Sequence, residues 1–172
     1  MPTGLHELYE RYAADVYRFA FWLCGNAADA EDVVSETFMR AFAGSDQLRD
    51  ATVKAYLLAI ARNLCRKRYA RQKRSVAIDE TLDDGRSAPD QDVDARRRLQ
   101  SLATELQRLP EADRAALLLR GVEGLSYEEI AVALNLSVAA VKVKVHRARV
   151  ALGRDSGLRS AAASPKGLRG VR

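Results

Sequence analysis

Apolar positions in this chain recur at three- and four-residue steps almost from its start. Leu5, Leu8, Tyr12, Val16, Phe19 and Leu23 share one face at helical spacing and predict a helix over 5–24, ended by Gly25 and Asn26. Ala30, Val33, Val34, Thr37, Phe38 and Ala41 repeat the pattern and predict a second helix from about 27 to 43, with Asp29, Glu31, Asp32 and Glu36 outside. Gly44 to Arg49 reads as a loop, and Asp50 as the cap of a third helix whose apolar positions are Val53, Tyr56, Leu57, Ile60, Ala61 and Leu64. No stretch alternates with a two-residue period, so the fold class is all-α. Three such helices can enclose a modest core, which makes 1–74 a helical domain.

The pattern then breaks. Asp79, Glu80, Asp83, Asp84, Asp90, Asp92 and Asp94 crowd beside Gly85, Ser87 and Pro89, so 75–95 reads as an acidic flexible linker. Helical periodicity resumes at Arg96–Arg108. Leu109-Pro110 marks a boundary, and Glu111 to Val122 predicts the next helix. A second small helical domain thus spans 96–153, and the tail at 154–172, rich in Gly, Ser, Ala and Arg, reads as disordered.

Within the second domain, Gly124 to Arg149 specifies a helix-turn-helix. Ser126 and Glu129 have capping-box spacing, so a helix starts at Tyr127 with Ile130, Ala131 and Leu134 on its apolar face. Asn135 stands where the chain must turn, and Asn tolerates the left-handed conformation. Ser137 caps a further helix from Val138 to about Leu152. At about 100° per residue, Val138, Val141, Val145, Ala148 and Leu152 form its buried stripe. The outward arc carries Ala139, Ala140, Lys142, Val143, His146 and Arg147, where base edges would be met; Lys144 and Arg149 flank it, where phosphates lie.

Charge distribution adds a second surface. The 172 residues carry a formal charge of +5, which suits a polyanionic partner. Arg62, Arg66, Lys67, Arg68, Arg71, Lys73 and Arg74 cluster at the end of the third helix with Asn63 and Tyr69 among them, a composition that fits a nucleic-acid backbone with nearby bases. Asp29, Asp32 and Glu36 share one side of the second helix. No His accompanies them, so they read as a face that avoids DNA or docks a basic protein rather than as a metal site. Cys24 and Cys65 lack metal-site spacing and read as buried small side chains, a structural disulfide being the lesser alternative. No apolar run reaches the length of a membrane span and no secretory signal opens the chain. The expectation is a cytoplasmic protein with no membrane insertion, no cofactor, no metal and no catalytic residue.

Together these segments resemble the extracytoplasmic-function (ECF) group of bacterial RNA polymerase sigma factors. DAEDVVSETFMRAF at 29–42 is similar to the family's polymerase-clamp-binding segment, and YLLAIARNLCRKRYARQKR at 56–74 to its melting and downstream-element segment. LPEADRAALLLRGVEGLSYEEIAVALNLSVAAVKVKVHRAR at 109–149 is similar to its upstream-element domain. The resemblance implies that core RNA polymerase and promoter DNA are partners, with an anti-sigma factor as a family expectation. It implies docking on polymerase by Asp29, Asp32 and Glu36, and a flipped base held by Asn63 near Arg62, Arg66, Lys67 and Arg71, with Gly44–Arg49 lining its pocket. Ser137, Ala139, Ala140, Lys142, Val143, Lys144, His146, Arg147 and Arg149 would face the upstream element, the acidic linker would thread the polymerase channel, and Leu117–Leu119 would help receive the polymerase flap.

The chain departs from the family in places. Tyr56 stands where Trp is frequent, Asn135 where Gly is common, and Ala140 and Val143 where Thr and Ser are usual, which makes the reading surface more apolar. The competing expectation is a stand-alone helix-turn-helix regulator, which would bind duplex DNA without polymerase.

Overall fold

The computed structural model describes residues 4–44, 53–75 and 93–154, which form seven helices and no strand. These are α1 (Leu5–Cys24), α2 (Ala27–Ala43), α3 (Val53–Ser75), α4 (Val93–Arg108), α5 (Glu111–Gly121), α6 (Tyr127–Leu134) and α7 (Val138–Arg154). The all-α expectation holds. The expected cap at Asp50, most of the loop before it, most of the acidic linker and the tail from 155 lie outside the described residues. Ser75 closes α3 and Val93–Ala95 open α4, so both ends of the expected linker are helical.

In α1–α3 most of the predicted stripes turn inward: Val16, Phe19, Leu23, Val33, Phe38 and Leu57 are buried together. Leu58, outside the predicted stripe, is buried with them, whereas Leu5 at the start of α1 is exposed. The corner between α1 and α2 uses local chemistry. Gly25 takes φ 88°, and its N–H closes α1 onto the Phe21 carbonyl at 2.8 Å. The Asn26 side chain then accepts from the Asp29 N–H at 2.8 Å and starts α2.

The second unit, α4–α7, is organised around a buried cation. Arg114 donates from Nη1 to the carbonyls of Leu106, Gln107 and Leu109 at 3.2, 3.3 and 3.2 Å, which satisfies the open end of α4. Burial lowers its pKa, yet a guanidinium stays charged at neutral pH.

The two units pack into one continuous core, with α1 against α5 and α3 against α6. Glu123, its carboxylate fully enclosed, receives Arg18 through Nε and Nη2 at 2.9 and 2.8 Å and lies 3.2 Å from Lys54 Nζ. The Lys54 ammonium also donates to the Glu123 carbonyl at 2.9 Å. Gln107 donates to the carbonyls of Trp22 and Leu23 at 3.3 Å each, so a residue of α4 completes the end of α1.

Candidate nucleic-acid interface

The helix-turn-helix is built by the devices its sequence predicts. Ser126 Oγ accepts from the Glu129 N–H at 3.1 Å while Glu129 Oε2 accepts from the Ser126 N–H at 2.8 Å, a complete capping box. Asn135 adopts φ 55° and ψ 50°, among the described residues the one non-glycine with positive φ. That left-handed residue lets the Leu136 N–H reach back to the Ala131 carbonyl at 2.9 Å. Ser137 Oγ accepts from the Ala140 N–H at 3.1 Å, capping α7.

Val141, Val145 and Ala148 of α7 are buried, which turns the opposite face to solvent. Ala139, Lys142, Val143, His146 and Arg147 are exposed there, with Val143 at 49%. Ala140 is half-buried. Of the flanking cations Arg149 is exposed, whereas Lys144 is half-buried with Nζ 3.4 Å from Asp113 Oδ1. Tyr127 links three helices: Arg120 lies 4.5 Å and Lys142 Nζ 5.5 Å from its ring centroid. The aromatic face therefore holds one end of the lysine on the reading surface.

The second surface lies on α3. Asn63, Arg66, Lys67, Tyr69 and Arg71 are exposed, and Lys73 Nζ lies 5.4 Å from the Tyr69 ring centroid. Arg62 differs. It is only 8% exposed, and its Nε and Nη2 each donate to one Glu111 carboxylate oxygen at 2.8 Å. Its charge is satisfied by the other unit.

The carboxylates of α2 are engaged as well. Arg68 Nη1 lies 3.3 Å from Asp32 and 3.7 Å from Asp29, and its Nη2 lies 3.9 Å from Glu36. Gln72 donates to Asp29 at 2.8 Å, and Arg40 pairs with Glu36 at 2.6 Å. Asp29 is thus the most enclosed of the three at 17% side-chain exposure, and Asp32 the most open at 64%. A guanidinium occupies the space a bound cation would need. Among the described residues no group of three or more side chains is arranged to hold a metal ion.

Residues 8–75 match the Sigma-70 region 2 family and residues 99–152 the Sigma-70, region 4 family. The chain is 36% identical over 137 residues to the ECF RNA polymerase sigma factor EcfG of Rhodopseudomonas palustris, covering 76% of this chain and 73% of that one. The chain belongs to the ECF group of RNA polymerase sigma factors. This sigma factor is also 35% identical over 155 residues to SigE of Mycolicibacterium smegmatis, covering 87% of its own length and 60% of that longer relative. In structure it is similar to the sigma factor RpoE of Bartonella quintana, solved in complex with the anti-sigma factor NepR, with a TM-score of 0.71 at 28% identity. That match covers 85% of this chain and 92% of the other.

Other contacts of this sigma factor have no local signature. Arg68, grouped by sequence with the cations of the α3 patch, turns instead to the α2 carboxylates. The pairs Arg62–Glu111 and Arg18–Glu123 join the units at sequence separations of 49 and 105 residues. Leu118 and Leu119, expected on a flap-receiving surface, are core residues because α5 packs against α1, α6 and α7; Leu117 alone is half-buried. Cys65 is buried as expected whereas Cys24 is only half-buried, and their sulfurs lie 2.6 Å apart.

Proposed function

We propose that this sigma factor holds a promoter at two places while its α2 face docks on core RNA polymerase. The observation that carries this reading is the division of α7. Its valine stripe is locked into the core, and the opposite face bearing Ala139, Lys142, Val143, His146 and Arg147 is clear. That face fits a major groove, with Lys142 and Arg147 able to donate to guanine and Val143 able to contact a thymine methyl. Ser137 and Ala140 stand at the helix N-terminus, and Arg149 and Lys144 flank the groove where phosphates pass.

Asn63, Arg66, Lys67 and Arg71 offer the melted strand an amide and cations, and Arg62 joins them once Glu111 releases it. Asp32 leads the contact with polymerase, with Glu36 beside it and Asp29 anchoring α2 against α3. The reading needs no catalytic residue, because binding energy alone selects and opens the promoter. An anti-sigma factor is a further expected partner, since the Bartonella quintana relative was solved with one. No described helix is long and apolar enough to cross a membrane, and the proposed site of action is the cytoplasm.

The deciding experiment is transcription reconstituted from core polymerase and this chain on a promoter found by mapping transcripts after overexpression. Promoter-specific initiation that Asp32→Arg abolishes supports the proposal. Tight duplex binding without polymerase, and no stimulation by it, would point to a stand-alone regulator instead.

A further inference from the structure

Cys24 closes α1 and Cys65 sits midway along α3, so the fold brings together two thiols that stand 41 residues apart in sequence. Their Sγ atoms are 2.6 Å apart, one thiol donating to the other. Both cysteines are free. They line a cavity of about 20 Å³ beside Tyr69 and Arg114. Such a space admits one water-sized molecule. A space this small favours a small oxidant over a peptide-sized disulfide.

We propose that Cys24 and Cys65 are a peroxide-oxidised dithiol that closes reversibly into an intramolecular disulfide. The two sulfurs have different roles. Cys65 is buried and Cys24 half-buried. Burial keeps Cys65 from solvent and favours its protonated form, so Cys24, the more exposed of the two, is the attacking thiol. The Cys24 thiol gives up its proton, and its sulfur attacks one oxygen of hydrogen peroxide. The O–O bond breaks, and the leaving hydroxide takes up that proton as water, which leaves Cys24 a sulfenic acid. Cys65 sulfur then attacks Cys24 Sγ, the S–O bond breaks, the S–S bond forms, and a second water leaves carrying the Cys65 proton. The sum is two thiols and one peroxide giving one disulfide and two waters. A small-molecule dithiol supplies the two electrons for the return.

Little has to move for the bond to form, because the side chains already touch and a disulfide S–S distance is about 2.05 Å. The consequence falls on the strand-capture helix. Cys65 lies two residues past Asn63, and Cys24 follows Leu23, whose carbonyl receives Gln107 from the other unit. The bond would tie α3 to the end of α1 at the seam between the units. This chemistry is independent of the proposed promoter and polymerase contacts.

The test uses the full chain, reduced and freed of reductant, then treated with hydrogen peroxide and followed by intact mass and maleimide labelling. The expected result is loss of two hydrogens, protection of both cysteines at every protein concentration, and full recovery on adding dithiothreitol. Cys65→Ala should stop at a Cys24 sulfenic acid that dimedone traps, while Cys24→Ala should leave Cys65 a thiol under the same dose. Independent conversion of both cysteines to sulfinic acids in the wild type would overturn the proposal. So would disulfides found only between chains, or a Cys24→Ala protein whose Cys65 oxidises as fast as Cys24 does in the wild type.

Discussion

Arg62 of α3 and Glu111 of α5 share two hydrogen bonds of 2.8 Å, so a residue expected to meet the melted strand is held by the unit proposed to read the upstream element. Paired N–H donors on both oxygens of a carboxylate are among the stronger polar contacts in proteins. DNA can claim Arg62 only by replacing that carboxylate with phosphate or base. The two units also meet through Glu123 with Arg18 and Lys54, so the arrangement has two charged latches on one apolar seam.

Glu111→Gln keeps the shape of the first latch and removes its charge. Arg62 then loses its strongest partner within a nearly dry site. We expect a stability loss of about 1–2 kcal/mol, since hydrogen bonds to charged groups are worth somewhat more than neutral ones. Binding to a single-stranded promoter oligonucleotide should tighten at the same time. Urea unfolding and fluorescence anisotropy measure the two effects. Unchanged strand affinity in a folded Glu111→Gln protein would show that the latch does not restrain Arg62.

On α7 the outward and flanking cations should fail differently. Arg147→Ala should weaken upstream-element binding by about 1–3 kcal/mol and relax base preference at one position, as a lost base-edge contact does. Arg149→Ala should weaken all sequences alike and lower the salt slope by about 1, as a lost phosphate contact does. Polymerase-bound complexes titrated over a panel of upstream elements at several salt concentrations separate the two. Equal behaviour of both variants would mean that the groove is entered at another angle.

Helices were legible in this chain because their signals are local. The stripe from Leu5 to Leu23, the Ser126–Glu129 box and Asn135 each act within one or two turns, and the structure has α1 and the turn where those residues imply. The contacts that set the state of the proposed sites are not local. Arg62 finds Glu111 across 49 residues, Arg18 finds Glu123 across 105, and Cys24 finds Cys65 across 41. A cationic run such as 66–74 says that charge is present, not where each side chain turns. Arg68 faces carboxylates while Lys67 beside it faces solvent, because successive residues on a helix point about 100° apart.

Asn135 offers a test of the turn itself. Its φ of 55° places a Cβ in the left-handed region, where glycine has no steric penalty. Asn135→Gly should therefore be neutral or stabilising by up to about 1 kcal/mol, and Asn135→Ala should destabilise by about 1–2 kcal/mol. Thermal melts of both variants check this. An Asn135→Ala protein that melts with the wild type would mean that the turn relaxes without the left-handed residue.

Cys65 makes the reduced protein sensitive to alkaline pH. Its hydrogen bond with Cys24, then burial, push its pKa well above the ordinary thiol value. In the unfolded chain the thiol titrates at about 8.5. Below that pH both states hold the proton, and the group contributes its full share to stability. Above it the unfolded chain releases the proton while the folded chain keeps it, so unfolding becomes easier. This one group therefore contributes a progressive loss of stability as pH rises above the unfolded-chain value. Other groups titrate in the same range, so the measurement is the difference between wild type and Cys65→Ala in urea unfolding at pH steps from neutral to mildly alkaline, under reductant. Wild type should lose its advantage over the variant as pH rises. Parallel curves would show that Cys65 ionises in the folded protein as readily as in the unfolded chain.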